Sequence, residues 1–225
     1  MKKGFRPLEL RSFFVCIFFL ILIVSQSWLA KSQVIGKVYE SPNMNKLVMK
    51  QEKFAVMPFE FEITENKKRV GMTVEEKVDA ESSGSEAAQS GFYTYALRRK
   101  QDNGLKVEMQ DVKRTNVLLF QAGINSQNTD QFLVEDICAA LGVDAIITGE
   151  IHTILKQSSG GAVASALLLG YGNTGNATGT IRVYDKSGEM IWSYQKQVTA
   201  GIGDVNNLIN KLMRKSANRF PYFIR

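Results

Sequence analysis

The stretch "LGVDAIITGEIHTIL", residues 141–155, contains the signals that decide the fold. Gly142 is a residue type that ends helices, and the run "VDAII" (143–147) is typical of a central strand covered on both faces. Beyond Thr148, apolar and polar residues alternate, which predicts a strand buried on one face only. Gly149, Ile151, Thr153 and Leu155 are predicted to point one way, and Glu150, His152 and Ile154 the other.

A helix is predicted immediately before this strand. Apolar residues recur at i, i+3, i+4 and i+7, with Asn128 or Thr129 as the N-cap and Gly142 as the stop. The recurring positions are Val134, Ile137, Cys138 and Leu141. Because Cys138 lies on this apolar face, we expect a buried and unreactive cysteine.

A hairpin and a last helix are predicted after the strand. The two strands of the hairpin are "TIRVYD" (180–185) and "EMIWSYQKQV" (189–198). The turn between them contains Gly188, which supplies a positive φ. Asp204 is the expected cap of the last helix and Pro221 closes it. The apolar stripe of this helix comprises Val205, Leu208, Ile209, Leu212, Met213, Ala217 and Phe220.

The amino-terminal half predicts further alternating elements. "KFAVMPFEFEI" (53–63) reads as a buried strand that Pro58 ends or places at an edge. Residues 64–83 are charged and predict a long mobile loop. The loop is followed by a helix over 83–104, a short strand over 105–110 and a short helix over 115–123 that is capped by Thr115. The apolar side of the first of these helices is Ala88, Phe92, Tyr95 and Ala96, and its stop is Gly104.

The first 32 residues predict a signal peptide rather than part of the fold. A basic start precedes the apolar run "SFFVCIFFLILIV" (12–24), and small residues before position 33 suit a signal peptidase, so cleavage is expected after Ser32. An uncleaved anchor is the alternative, but the run is shorter than the roughly 20 apolar residues of a spanning helix. Cys16 lies inside the run, which argues against a lipoprotein. Residues 33–52 are expected to form an arm, and 53–225 one domain of the envelope.

Charge and cysteine content exclude two classes. The chain of 225 residues has a formal charge of +6, but its first 32 residues carry five basic residues against one acidic, which leaves +2 after cleavage. No basic stripe remains to predict nucleic-acid binding. Of the two cysteines, only Cys138 remains after cleavage, so no intrachain disulfide is expected.

No catalytic, cofactor or metal site is predicted. His152 is the single histidine and lies roughly 7 Å from Glu150 at the strand rise of about 3.3 Å per residue. A catalytic pair needs a nucleophile or metal nearby, and no HExxH, GxSxG or P-loop spacing occurs. The other carboxylates beside strands are Asp144, Asp185 and Glu189. The short side chains of the two aspartates suit positions where they accept hydrogen bonds from backbone amides near a turn. The sequence therefore favours a protein that is not an enzyme.

One segment invites a functional interpretation. "QSSGGAVASALLLGYGNTGNATG" (157–179) places an apolar core between glycines, and an exposed run of this kind marks a partner or membrane contact. The alternative is a small helix or strand packed on the sheet. The candidate interaction or membrane residues are Ser158, Gly160, Gly161, Leu167, Leu168, Leu169 and Tyr171.

Four segments follow one another in an order that resembles the curli secretion channel family (CsgG) and its relatives, the penicillin-binding-protein activator LpoB and the amino-terminal domain of TolB. These segments are "KFAVMPFEF", "LGVDAIITGEI", "SGG" and "TIRVYDKSGEMIWS". The resemblance spans residues 53–220. It implies a single mixed α/β (α+β) domain with about five strands flanked by helices. In the curli channel, extra hairpins enter the outer membrane and subunits form a ring; residues 156–180 correspond to one such hairpin.

The expected function follows from the leader, the core and this resemblance. We expect an exported, non-enzymatic protein of the periplasm or outer membrane that binds unidentified envelope proteins, or further copies of itself, in envelope assembly, secretion or polymer export. The alternative is an oligomeric outer-membrane secretion channel subunit. Against it, the sequence predicts neither the channel's lipid anchor nor, after Trp192, a second membrane hairpin.

Overall fold

The computed structural model describes residues 36–65, 73–103, 107–157, 173–199 and 205–222, all within the compact unit Gly36–Arg225. In these ranges the chain forms a mixed sheet of seven strands flanked by five helices, which confirms the predicted α/β class. The strands are β1 (Lys37–Glu40), β2 (Lys53–Val56), β3 (Glu60–Glu65), β4 (Glu108–Met109), β5 (Ala145–Gln157), β6 (Asn173–Asp185) and β7 (Met190–Thr199). The helices are α1 (Met44–Val48), α2 (Val74–Asn103), α3 (Val112–Gln121), α4 (Val134–Leu141) and α5 (Val205–Ala217).

Strand β5 organises the sheet, because it pairs with three other strands. On one side it is antiparallel to β6. On the other side it is parallel first to β2, with Phe54 opposite Ala145, and then to β3, with Glu60 opposite Glu150. Antiparallel β7 and β1 continue the sheet beyond β6, and β4 lies beyond β2. The predicted hairpin is thus β6 and β7.

The predicted strand over 53–63 is divided at Pro58, as the proline indicated. Val56 lies opposite Ile147 and Glu60 opposite Glu150, so three residues of this side face two residues of β5. Proline has no amide hydrogen for a ladder bond, which suits it to this irregularity. The division is one reason why the sheet has more strands than expected.

Helices α2 and α5 pack on one face of the sheet and bury the larger core. Phe220, just beyond α5, is at its centre: its ring centroid is 5.4 Å from those of Phe54 and Phe92 and 4.8 Å from that of Tyr222. Contacts of this kind add about 0.5–1.5 kcal/mol per pair beyond area burial. The predicted stripe of the last helix is confirmed by the burial of Leu208, Ile209, Leu212, Met213, Ala217 and Phe220.

Helices α3 and α4 cover the opposite face, but only over β2, the beginning of β5 and the end of β6 that contains Tyr184. The residues buried there are Ala55, Met57, Leu119, Ile124, Ile137, Cys138, Leu141, Val143 and Ile146. Within β5, Ala145, Ile146 and Ile147 are all at most 1% exposed, which confirms a central strand covered on both faces. Cys138 is buried as predicted, and this burial raises its thiol pKa to about 12.

The loop predicted over 64–83 is wrong at both ends, because β3 continues to Glu65 and α2 begins at Val74. The side of α2 that faces the sheet here consists of small residues, so no apolar period is visible in the sequence. A Cβ on Gly84 would lie 2.7 Å from the Phe61 ring, which shows how closely helix and strand approach. The predicted burial of Ala88, Phe92 and Ala96 is confirmed, with Tyr95 partly buried beside them.

Two predicted N-caps are also wrong. Asp111 caps α3 by accepting a hydrogen bond from the Arg114 amide at 3.1 Å, whereas Thr115 is buried inside the helix. Helix α4 begins after Leu133 without a side-chain cap, and Asn128 instead accepts a bond from the Asn125 amide. The stop at Gly142 is confirmed by its φ of 64°. Gly104 and Asp204 lie outside the described residues.

Two segments predicted to be irregular contribute strands. Lys37–Glu40, part of the expected arm over 33–52, pairs with β7 as β1. Residues 173–179, the glycine-rich end of the segment over 157–179, belong to β6. Gly179 is there because a Cβ would lie 2.4 Å from Leu212 of α5, so the glycine permits close packing of helix on sheet. The seven candidate interaction residues lie outside the described residues.

Candidate functional site

A polar face of the sheet remains open beyond the ends of α3 and α4. Directly paired residues on neighbouring strands share a face, so Glu150, its β6 partner Thr180 and the β7 partner Gln195 point the same way. We call this surface the open face. It comprises Glu60 and Glu62 of β3, Thr148, Glu150 and His152 of β5, Thr178, Thr180 and Arg182 of β6, Ser193, Gln195 and Gln197 of β7, and Lys37 and Tyr39 of β1.

No helix in the described ranges packs on this surface. The opposite face of the same strands carries Ile151, Ile181 and Tyr194, which are buried under α2 and α5. On the open face Tyr39 is 46% exposed, and almost every side chain is polar. The strands are thus half-buried, with an apolar inner side and a polar outer side.

Two hydrogen-bonded side-chain pairs link neighbouring strands on the open face. Arg182 donates from Nη2 to Glu150 Oε1 at 2.7 Å, which links β6 to β5. Nδ1 of His152 lies 2.7 Å from Oε2 of Glu62, which links β5 to β3. Exposed pairs of this type contribute about 0–1 kcal/mol, so they orient side chains more than they stabilise the fold.

The acid–base residues singled out in the sequence are therefore not paired with each other. Glu150 and His152 share a face, as predicted, but each bonds to a residue of a different neighbouring strand. The side chains of His152 and Glu62 are 46% and 52% exposed. Active-site pairs are generally enclosed where water is excluded, and this pair is open to solvent.

Asp144 and Asp185 have the structural roles predicted for them. Asp144 accepts hydrogen bonds from the amides of Glu52 and Lys53 and from Lys186 Nζ, the last at 2.7 Å. Desolvation alone would raise the pKa of this carboxyl, but the bond from Lys186 and the two amide bonds hold it below its ordinary value. Asp185 closes the hairpin turn by accepting bonds from the amide and hydroxyl of Ser187.

A groove of about 570 Å³ lies where the open face meets the segment 126–134 before and at the start of α4. Pro58, Phe132, Val134 and Tyr184 give it a half-buried apolar wall. The charged residues that line it are Glu60, Glu62, Glu81, Asp130, Glu150 and Arg182. A shallower depression of about 400 Å³ continues over β6, β7 and β1, and Glu150 and Arg182 line both.

The described part of the chain has neither a cluster of metal ligands nor a membrane-spanning helix. No three histidine, cysteine, aspartate or glutamate side chains there come together in a way that could hold a metal ion. None of the helices in these ranges is both long and apolar enough to span a membrane.

Sequence reasoning missed Glu60, Glu62 and Arg182 as members of one surface. A signal was present, since Glu60 and Glu62 alternate with apolar residues in "EFEI", and Thr180 and Arg182 do so in "TIRV". Period-two polar residues predict an outward face. The sequence pattern does not show the pairing register, which places β3 and β6 on opposite sides of β5.

Comparison with known proteins gives structural similarities only. No protein-family model and no curated protein matches the sequence. Lipoprotein GNA1162 from Neisseria meningitidis is similar with 15% identity and a TM-score of 0.43, over 75% of this chain and 96% of that one. The LpoB C-terminal domains from Salmonella enterica and Escherichia coli have 14% and 11% identity and TM-scores of 0.34 and 0.31, each over 70% of this chain and 96% of its own. LpoB is thus among the similar structures, while the resemblances to the curli channel and to TolB remain predictions.

Proposed function

We propose that this protein is an exported, non-enzymatic component of the cell envelope that works by binding another protein through the open face. The observation that carries the proposal is the open face itself, a polar surface five strands wide on an otherwise covered sheet. The predicted signal peptide over residues 1–32 supports export. The solvent-exposed side-chain pairs of the open face support binding rather than catalysis.

The size of the open face suits the centre of a protein interface. Five strands spaced by about 4.8 Å and side chains over about five residues give a rectangle of roughly 24 by 16 Å, or about 400 Å². A stable interface buries about 800 Å² on each partner. The face therefore provides about half of a standard interface, and the groove beside it adds to this area.

Site-specific photocrosslinking in cells that express the full chain would test the proposal. A photoreactive residue at Gln195, on the open face, should crosslink to one defined envelope protein. The matched control is the same residue at Lys113, which is exposed on α3 away from the open face. Equal crosslinking from both positions, or none from Gln195, would contradict the proposal.

Size-exclusion chromatography with light scattering, with and without detergent, separates the proposal from the channel alternative. A protein that acts through the open face should keep the same mass in both conditions. A discrete ring that forms in detergent, with crosslinks between copies of the chain, would favour a channel subunit.

A further inference from the structure

The groove beside β3 has a composition that selects its ligand. Five of its six charged lining residues are acidic, and the single cation, Arg182, is already bound to Glu150 at 2.7 Å. Glu60 and Asp130 have no ion-pair partner within the described residues, and both are exposed. Glu81 is paired with Lys77 of α2 at 3.5 Å and Glu62 is bonded to His152 at 2.7 Å. Within the described residues, the uncompensated negative charge of the groove therefore lies on Glu60 and Asp130.

The wall and the shape of the groove restrict the ligand further. Pro58, Phe132, Val134 and Tyr184 are only half-buried, so apolar surface is available inside the acidic rim. The consecutive residues Glu60, Phe61 and Glu62 all line the groove, which shows that it follows β3. Within the described residues β3 pairs with β5 alone and has no strand on its other edge, although the Ile63 amide already donates to Glu81 of α2 at 2.8 Å. Extended segments bind beside such edges.

We propose that this groove binds an extended segment of a partner protein that combines lysine or arginine with apolar side chains. The cations lie against Glu60 and Asp130, and an apolar side chain packs on Phe132 and Pro58. This inference rests on the proposed function, because it names the partner chemistry for one part of the same surface. Charge complementarity selects the partner, and apolar burial supplies the affinity.

Fluorescence anisotropy with the protein purified from cells that express the full chain would test the inference. The probe is a labelled seven-residue peptide that alternates lysine with valine or phenylalanine. It should bind, whereas peptides with glutamate for lysine or with serine for the apolar residues should not. Binding should weaken as salt is raised, because the rim charges are exposed to solvent.

A pair of variants identifies the groove as the site. Glu60→Gln with Asp130→Asn should weaken binding about three- to tenfold, as expected for two exposed charge contacts. The control, Glu86→Gln with Asp79→Asn, makes the same change in net charge at exposed positions of α2 outside the groove, and should leave binding unchanged. Equal weakening in both variants, or equal binding of the glutamate peptide, would overturn the inference.

Other occupants give different results. Self-association that the Glu60 and Asp130 changes abolish would replace the partner segment by a second copy of the chain. Peptide binding that appears only after Lys67, Lys68 and Arg69 are neutralised would assign the groove to the chain's own basic sequence. If the peptide fails to bind while Gln195 still crosslinks to a defined envelope protein, the inference falls and the proposed function stands.

Discussion

The two halves of β5 differ in what covers them. Residues 145–147 are buried on both faces, because α2 and α5 cover one face and α3 and α4 cover the other. From Glu150 onward, only the face under α2 and α5 is covered. One continuous strand therefore changes from core to surface within three residues. The open face therefore begins where the second pair of helices ends.

The largest expected effect is a difference in stability between the two halves. Ile146→Ala removes a side chain that is 1% exposed and packs under α3 and α4, and buried isoleucine-to-alanine changes cost about 2–5 kcal/mol. His152→Ala, six residues along the same face of the strand, should change the free energy of unfolding by at most about 0.5 kcal/mol. Urea denaturation of both variants checks this, and equal losses would contradict the division of β5.

The next effect concerns the junction of the two halves. A Cβ on Gly149 would lie 2.3 Å from the backbone oxygen of Thr180, which cannot rotate away. Gly149→Ala should therefore destabilise the fold by about 1–3 kcal/mol. Gly91→Ala in α2 is the control, because its nearest atom would be 3.5 Å away and alanine favours helix by about 1 kcal/mol. Thermal unfolding should move in opposite directions for the two variants.

A smaller effect depends on pH and belongs to the covered end. Because the folded-state pKa of Asp144 is below its ordinary value, the stability it contributes is present above about pH 4 and is lost as the pH falls through the folded pKa. Asp144→Asn should cost about 1 kcal/mol at pH 7 and should flatten the loss of stability below pH 4. Unchanged acid unfolding in this variant would show that its hydrogen bonds do not contribute.

The smallest effect is the coupling between Glu150 and Arg182. Their side chains are about one-third exposed, at 32% and 30%, so a double-mutant cycle with Glu150→Gln and Arg182→Gln should give a coupling energy of about 0.2–1 kcal/mol. This energy should fall in high salt. A coupling above 2 kcal/mol would indicate that the open face is covered in solution.

The parts of the fold that follow from local pattern were predictable. Alternation after Thr148 correctly separated the buried Ile151 and Thr153 from the exposed His152. The start of α2 was not predictable in this way, because Ala80 and Gly84 are selected by close packing rather than by hydrophobicity. Where small residues face a sheet, the sequence shows no stripe of large apolar residues from which a helix could be predicted.

The candidate site was predictable only in its components. Glu150 and His152 were recognised on one face, but their partners Arg182 and Glu62 are 32 and 90 positions away in the sequence. These contacts depend on strand order and register, which a single sequence does not encode locally. The groove was missed for the same reason, since Asp130 and Glu60 come from different parts of the chain.

Strand β1 is the described strand that a pull on the chain before Gly36 would load first. Its four residues pair with β7 from Lys37 opposite Gln195 to Glu40 opposite Trp192, and they are the first strand after Gly36. A pull on the chain before Gly36, directed along β1, loads all four pairs at once in shear. A pull perpendicular to β1 opens them one after another, starting at Lys37. A tether at the amino-terminal end would therefore make resistance to detachment depend on the direction of the load.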